Sequence, residues 1–258
     1  MINSIIEPTK NARNARIGYK NLLVGTTTSE AAVMLIPNTY ERYKPTSGSK
    51  TVKFQLAAST SIDFVGIAAH NAGTHDNSTS IIVKYAATVG GALTTIDVME
   101  FDEENNAKMI NFEPVTAAEI AITFTTSTAG LEIGVIYAGE ALEMERPIYG
   151  GHKPIDLSAE TDYQNTRSES GNFLGRTVIR RGAETSYQFK HLSDEWIRQS
   201  FKPFMKSAIK HPFFIKWRPD LYQFTAFGFT TKDIKPSNMG GGSRLMQVSF
   251  NIQAHQDI

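Results

Sequence analysis

Residues 193–210, SDEWIRQSFKPFMKSAIK, form the only long segment of the chain whose apolar residues recur at helical spacing. Four of them fall at every fourth position and three more lie beside these: Ile197, Phe201, Met205, Ile209, Trp196, Phe204 and Ala208. This spacing gives a helix one apolar face and leaves its basic residues outside. The sequence therefore predicts a single amphipathic helix that lies across a sheet.

The residues at the two ends of this segment support the same prediction. Ser193 is of the type that caps helix N-termini, and the two acidic residues after it suit the first turn. Pro212 stops the helix just beyond residue 210. Pro203 is expected to kink it in the middle, because proline has no N–H for the helical ladder.

The first half of the chain reads as short strands separated by turns rich in Gly, Ser, Thr and Asn. The expected strands are 51–56, 61–69, 80–85, 93–101, 109–112, 119–124 and 131–137. Strands at about ten-residue spacing are typical of an antiparallel sandwich. Residues 1–145 are predicted to form a galactose-binding-like jelly-roll β-sandwich.

The second half is predicted to be a small β-sheet or split barrel closed around the helix, from residue 146 to residue 258. Its expected strands are 177–181, 187–189, 213–217, 223–231 and 245–254. Between the halves, residues 140–154 carry two prolines and a glycine pair without periodicity. We expect light packing across this junction. The fold class is thus mainly β, with two domains and one helix.

Composition excludes several classes of chemistry. The chain has 258 residues, of which 41% are hydrophobic and 20% charged, and it has no cysteine. Disulfides, a thiolate nucleophile and zinc sites built on sulfur are therefore excluded. No apolar run has the length of a signal peptide or of a membrane helix, which takes about 20 residues. We expect a protein made in the cytoplasm, without membrane insertion.

Charge is balanced overall but not between the halves. Residues 1–145 carry 10 Lys and Arg against 16 Asp and Glu, a net charge of −6, and the remainder carries +6. A basic surface for nucleic acid is one interpretation, but the excess is diffuse and lacks interleaved aromatic residues, so nucleic acid is not favoured. A second interpretation is that copies of the chain associate through these oppositely charged halves. Two solvated surfaces that differ by chance are a third.

The loops at one end of the predicted sandwich contain the richest polar cluster of the chain. Candidate glycan-binding residues there are Tyr40, Arg42, Tyr43, His70, Asn71, His75 and Asp76. Aromatic rings and hydrogen-bond donors on loops suit a sugar. Two histidines and a carboxylate also suit a metal, but a single loop without a further fixed ligand is a weak metal motif. The acidic turn 102–104 lacks the spacing of a calcium loop. We predict no metal and no cofactor.

Catalytic motifs are missing from the sequence. The glycines 240–242 precede a strand and cannot cradle a phosphate at a helix N-terminus. Residues 168–171 do not follow the G-x-S-x-G pattern of a nucleophile elbow. We therefore expect a protein that is not an enzyme.

Aromatic residues crowd around the helix more densely than a domain of this size should bury. We expect some of them to face a partner subunit, since interface cores are rich in aromatic residues. The candidates are Trp196, Phe201, Phe204, Phe213, Trp217 and Phe227.

Several stretches together resemble structural proteins of tailed bacteriophages. ARIGYKNLL, TYERYKP, SIDFVGIAAHNAG and SIIVKY look like the discoidin-like or galactose-binding-like jelly roll of such proteins. SESGNFLGRTVIRRG before the helix and FFIKWRPD after it resemble tail-tip and baseplate proteins related to the distal tail protein. The family pattern commonly has Trp where this chain has Tyr43.

This resemblance implies a virion component that forms a ring, a trimer or a hexamer, and contacts other tail proteins. Its helix domain would assemble with the tube while the jelly roll projects outward. Two alternatives remain open. One is a carbohydrate-binding module that contacts a host surface glycan through the loop 70–76, and the other is an enzyme with a lectin-like domain.

Overall fold

The computed structural model describes residues 13–76, 78–101, 105–240 and 244–255. The protein is mainly β, with antiparallel strands in two sheets and one helix, and this confirms the predicted fold class. The strands are β1 (Arg16–Gly18), β2 (Leu23–Thr26), β3 (Gly48–His70), β4 (Ser80–Ala86), β5 (Thr94–Met99), β6 (Lys108–Thr126), β7 (Ile133–Gly139), β8 (Leu142–Glu143), β9 (Ala159–Arg167), β10 (Phe173–Ser193), β11 (Phe213–Lys216), β12 (Thr225–Thr230), β13 (Ser237–Asn238) and β14 (Leu245–His255). Short 3₁₀ turns cover Ser29–Leu35 and Ile155–Leu157.

The strands of the first half form sheet 1, which has the order β2-β3-β6-β4-β5, with β7 also paired with β3. Strands β3 and β6 run together for almost their whole length, with register shifts between Gln55 and Thr60 and between Ile62 and Phe64. Buried residues from both sides of these shifts share one core. The long strands therefore serve both layers. Residues 51–56 and 61–69 are extended as predicted, but they belong to one strand, β3, and the predicted strands 109–112 and 119–124 likewise form the single strand β6.

Sheet 2 has the order β8-β1-β11-β12-β14-β10-β9, with β13 beside β14. Strands β1 and β8 come from the first half of the chain, yet β1 pairs with β11 of the second half. The division into domains at residue 145 stays a prediction. Packing across the junction is not light, because Met144 is fully buried and Tyr149 donates its N–H to the carbonyl of Gln188 at 2.7 Å.

Helix α1 comprises three consecutive segments: Asp194–Trp196, a π-helical turn Ile197–Phe201, and Lys202–Ala208. Ser193 caps it as predicted, since its Oγ accepts the N–H of Trp196 at 3.2 Å. The π-helical turn ends at Phe201, two residues before Pro203. Within a helix a proline ring crowds the carbonyl four residues earlier, and the wider turn relieves this crowding. The apolar face of α1 packs on sheet 2. Ile209, expected on this face, lies beyond the helix and is exposed.

Most of the aromatic residues predicted at a subunit interface belong to the core of this chain. Phe201, Phe204 and Phe213 have no exposed surface, and Trp217 and Phe227 are also buried. Trp196 is partly buried and stacks on Phe201 with centroids 5.6 Å apart. The interface assignment of the five buried residues is corrected, because two packed faces of sheet 2 bury more aromatic side chains than one face could, whereas that of Trp196 stays a prediction.

Sheet 2 has a covered surface on each side. Consecutive residues of a strand point to opposite faces, and here Phe213 packs under α1 while Phe214 packs against sheet 1. The second contact brings Phe214 and Phe227 against Phe64 and Tyr137. The two sheets are thus joined by a continuous apolar layer. Among the described residues, no helix is both long enough and apolar enough to cross a bilayer.

Candidate functional site

The residues predicted to bind a glycan all lie in or beside loops at one end of sheet 1. These loops follow β3, precede β6 and β7, and include the segment that carries the isolated bridge between Tyr43 and Ile133. The structure brings these loops together, since Asn71 bonds to Gly130 and His75 to Thr126. Their side chains, however, differ in whether they face solvent.

His70 and Tyr43 have structural roles. His70 is 0% exposed, its Nε2 lies 3.0 Å from the carbonyl of Asn106, and its Nδ1 accepts the N–H of Ala72. Tyr43 is buried beside Phe124 with ring centroids 6.0 Å apart. Burial raises the pKa of the Tyr43 hydroxyl. Neither ring has surface to offer a sugar, so both glycan-binding assignments are corrected.

Asp76 and His75 organise the loop instead of facing a ligand. The Asp76 carboxylate accepts hydrogen bonds from the hydroxyl groups of Thr126 at 2.7 Å and Ser78 at 2.7 Å and from the N–H of Ser78 at 2.8 Å. These bonds favour the charged form, and they hold the pKa of Asp76 well below its usual range. His75 Nε2 lies 3.1 Å from Thr126 Oγ1. The Asp76 carboxylate and His75 Nε2 are engaged within the loops, and only 9% of the His75 side chain is exposed, so both residues position the loop.

Asn71 and Arg42 tie neighbouring loops together. The Asn71 side chain accepts the N–H of Glu132 at 2.8 Å and donates to the carbonyl of Gly130 at 2.9 Å. The Arg42 guanidinium lies 3.5 Å from the Glu132 carboxylate, which Lys44 also approaches at 2.6 Å. Tyr40 is 92% exposed. Of the seven predicted residues, Tyr40 and Arg42 therefore keep groups that a ligand could contact.

A cleft separates these loops from sheet 2. Its volume is about 740 Å³, and the loop side contributes Arg42, Asn71 and Asn105. The wall on the side of sheet 2 has both apolar and polar members: Ile179, Arg181, Pro212, Phe227, Phe229 and Gln253. Ile179 is 65% exposed and Phe229 is 51% exposed. The cleft therefore combines guanidinium groups with accessible apolar side chains.

The second accessible feature is a two-stranded ribbon, residues 159–182, which we call the arm. Strand β9 pairs with β10 from Ala159↔Ala183 to Arg167↔Phe173. Strand β14 pairs with β10 only from Gly182 onward. Side chains are exposed on both faces of the arm, and its nine-residue β9 gives it a length of about 30 Å. The arm thus extends beyond the rest of sheet 2.

The arm has a defined conformation although little covers it. At its tip the N–H of Ser168 donates to the carbonyl of Asn172 at 2.9 Å, and Gly171 adopts a φ of +85° that suits glycine. The Arg176 guanidinium lies 4.1 Å from the centre of the Tyr163 ring. Next to the tip, Phe173 and Leu174 are 63% and 64% exposed. An isolated two-stranded hairpin is marginally stable in water, so this arm presents a surface suited to a partner.

Sequence reasoning missed the cleft and strand β9 of the arm, whereas it predicted part of β10 as a strand at 177–181. The segment AETDYQNTR of β9 is polar throughout and shows no apolar alternation, so no strand was predicted there. Phe227 and Phe229 point to the same face of β12, yet only Phe227 is covered by sheet 1. Alternation along the strand therefore cannot tell which of the two rings is buried. The excess of aromatic residues was the available signal, and it was assigned to the helix region.

No group of three or more His, Asp or Glu side chains with the geometry to hold a metal ion occurs in residues 13–76, 78–101, 105–240 and 244–255. The predicted acidic turn 102–104 lies outside the described residues.

Comparisons with known proteins find similar solved structures among carbohydrate-binding modules. No protein-family model matches the chain, and no curated protein matches it. One similar solved structure is a pectin-binding carbohydrate-binding module, with 19% identity and a TM-score of 0.39 over 46% of this chain and 91% of that one.

Two further modules are similar in the same way. CBM32-1 from a family 31 glycoside hydrolase of Clostridium perfringens has 8% identity and a TM-score of 0.37, over 48% of this chain and 93% of the module. Chitosan-binding module 1 from a chitosanase/glucanase of Paenibacillus sp. IK-5 has 13% identity and a TM-score of 0.38, over 47% and 97%. These matches concern about half of the chain, and function has to be argued from its own residues.

Proposed function

We propose that this protein is a non-enzymatic structural component that assembles with copies of itself through the arm. The observation that carries the proposal is the exposed pair Phe173 and Leu174 next to the tip of the arm, where most side chains of both strands face solvent. Exposed apolar groups on an extended ribbon indicate a protein partner. The unpaired outer edge of β9 adds backbone groups that another strand can bond.

The resemblance to tail-tip and baseplate proteins supports a finer version of this proposal. The protein would then be a virion component, made in the host cytoplasm, that forms a trimeric or hexameric ring and contacts other tail proteins. The opposite charges of the two halves, −6 and +6, suit copies that meet in a fixed register.

Solution mass tests the assembly. Light scattering on the purified protein at low and high salt is expected to give a discrete trimer or hexamer. The double substitution Phe173→Ser with Leu174→Ser is expected to give a monomer. Its matched control is Val24→Ser with Val89→Ser, which removes two exposed apolar side chains outside the arm. A wild-type monomer at all concentrations overturns the proposal, and so does an arm variant that assembles like the wild type.

Carbohydrate binding is a second candidate function, and Tyr40 is the observation that favours it. Its ring is 92% exposed in the segment that also carries Arg42. An exposed aromatic ring beside a guanidinium group suits stacking on a sugar and hydrogen bonding to it. A glycan array tests this function. Tyr40→Ala should abolish any signal that the wild type gives, whereas Tyr149→Ala, at another exposed tyrosine, should retain it. An array without a wild-type signal, or a signal that survives Tyr40→Ala, contradicts it.

A further inference from the structure

The tip of the arm carries both apolar and acidic groups. Phe173 and Leu174 are exposed, and Glu169 lies in the turn between the two strands of the arm. Among the described residues Glu169 forms no ion pair. The tip therefore offers one carboxylate beside two apolar side chains, and the exposed Arg167 adds a guanidinium group across from Phe173.

The cleft offers matching groups. Phe229 and Ile179 provide exposed apolar surface, and Arg181 provides a guanidinium group that forms no ion pair within the described part of the chain. Arg42 lies on the opposite wall. The Arg181 guanidinium group is thus complementary to the Glu169 carboxylate of the tip, and Phe229 and Ile179 can pack against its two apolar side chains.

The tip cannot reach the cleft of its own chain. Ile179 and Arg181 lie at the base of the arm, six or more residues along β10 from Phe173. In an extended strand this separation is about 20 Å. The ribbon is held by its paired backbone, so it cannot fold back over this distance. Contact between tip and cleft requires two copies of the chain.

We propose that the cleft receives the arm tip of a neighbouring copy, with Phe173 and Leu174 packed on Phe229 and Ile179 and with Glu169 paired with Arg181. This inference rests on the proposed self-assembly and gives it a geometry. Donor and acceptor are different surfaces of one chain, so the contact is heterologous. Repeated heterologous contacts close into a ring when the rotation between copies allows it.

Cross-linking tests the contact directly, because the chain has no cysteine. Copies with Leu174→Cys are mixed with copies with Phe229→Cys, allowed to exchange, and oxidised mildly. A disulfide needs Cα atoms within about 7 Å. We expect a cross-linked dimer in this mixture on a non-reducing gel. The control mixture combines Leu174→Cys with Val24→Cys, whose side chain is exposed outside the cleft, and we expect no cross-linked dimer from it.

Charge reversal tests the ion pair. Glu169→Arg places two cations together and is expected to weaken assembly by about tenfold or more, since a tenfold change needs only about 1.4 kcal/mol. Arg181→Glu should weaken it similarly. The double variant restores the pair with reversed polarity and should assemble like the wild type. A double variant that is as weak as the two single variants contradicts the pairing.

The outcomes separate this inference from the proposed function. A discrete oligomer without a Leu174→Cys to Phe229→Cys cross-link overturns the cleft as the acceptor and leaves self-assembly standing. A wild-type monomer overturns both. If Phe229→Ser abolishes binding on a glycan array while the oligomer keeps its mass, the cleft holds a sugar and the inference is wrong.

Discussion

The ring of Phe214 lies directly on the backbone of Gly66, so that a Cβ built on Gly66 would be 2.9 Å from Phe214 Cδ2. Gly66 belongs to β3 of sheet 1 and Phe214 to β11 of sheet 2. The close approach of the two sheets at this point therefore depends on the absence of a side chain. Phe227 of β12, the strand partner of Phe214, also lines the cleft.

Gly66→Ala should destabilise the protein. The added methyl group overlaps a fully buried ring, and overpacking of this kind costs about 1–3 kcal/mol. Urea denaturation followed by tryptophan fluorescence measures the change. Gly25→Ala is the matched control, because it is also a strand glycine and a Cβ there meets no atom within 4 Å. Equal stability of the two variants would contradict the account of the sheet contact.

Ser193→Ala should remove the cap of helix α1. The Ser193 hydroxyl accepts from the Trp196 N–H and donates to the Glu145 carboxylate at 2.8 Å, so the helix start is also tied to the junction. Loss of an N-cap costs about 0.5–2 kcal/mol. Thermal melting should show a lower Tm for Ser193→Ala and a nearly unchanged Tm for Ser193→Thr, which keeps a hydroxyl. Lys202→Ala, at an exposed helix position, is the control. A Tm drop for Ser193→Thr as large as for alanine would exclude the cap as the cause.

Helix α1 and the fold class could be predicted because both depend on periodicity. The apolar spacing of residues 193–208 and the Ser193 cap are local features of the sequence. The continuity of β3 was not predictable, since the four residues between its two apolar stretches, AAST at 57–60, are small and break the apolar alternation. It remains a strand because β6 supplies a partner at long range.

The sequence indicated which loops carry the polar side chains of the candidate site, but not what those side chains contact. His70 and Asp76 were chosen because their side chains are polar and lie in a loop. The structure uses both for hydrogen bonds to Asn106 and Thr126, residues that are 36 and 50 positions away. Sequence spacing carries no information on such partners. Strand β9 of the arm was missed for the same reason, because only the structure shows that it pairs with β10.

Asp76→Asn should lower stability at neutral pH and have less effect in acid. The folded-state pKa of Asp76 lies below the unfolded value of about 3.9, so its ionised form favours folding. This contribution is fully present above about pH 4 and is lost as the pH falls toward the folded-state pKa.

Urea denaturation at pH 7 and pH 3 measures this effect, and the difference between wild type and Asp76→Asn should be smaller at pH 3. Asp233→Asn serves as the control, because Asp233 is exposed. A difference that is the same at both pH values would assign the role of Asp76 to packing alone.

The buried side chain of Lys216 should make the free energy of unfolding depend on pH in the alkaline range. It is buried on β11, where its Nζ donates to the carbonyl of Met109 at 3.4 Å and to the side chain of Gln223. Burial, helped by the charge of Lys108, lowers the pKa of Lys216 to about 8. The unfolded value is about 10.4, so the unfolded state binds this proton more tightly. The folded state therefore gains stability as the pH rises from about 8 to about 10.4, and below about pH 8 the full cost of the buried charge is present.

The variant Lys216→Met should lose this dependence. Between pH 8 and pH 10 the free energy of unfolding of the wild type should rise relative to that of the variant, by at most about 3 kcal/mol for a pKa change of this size. Other lysines and tyrosines titrate in the same range, but they are present in both proteins and cancel in the difference. Lys50→Met, at an exposed position, should follow the wild type. Parallel curves for wild type and Lys216→Met would show that Lys216 keeps one charge state across this range, and would contradict the predicted pH dependence.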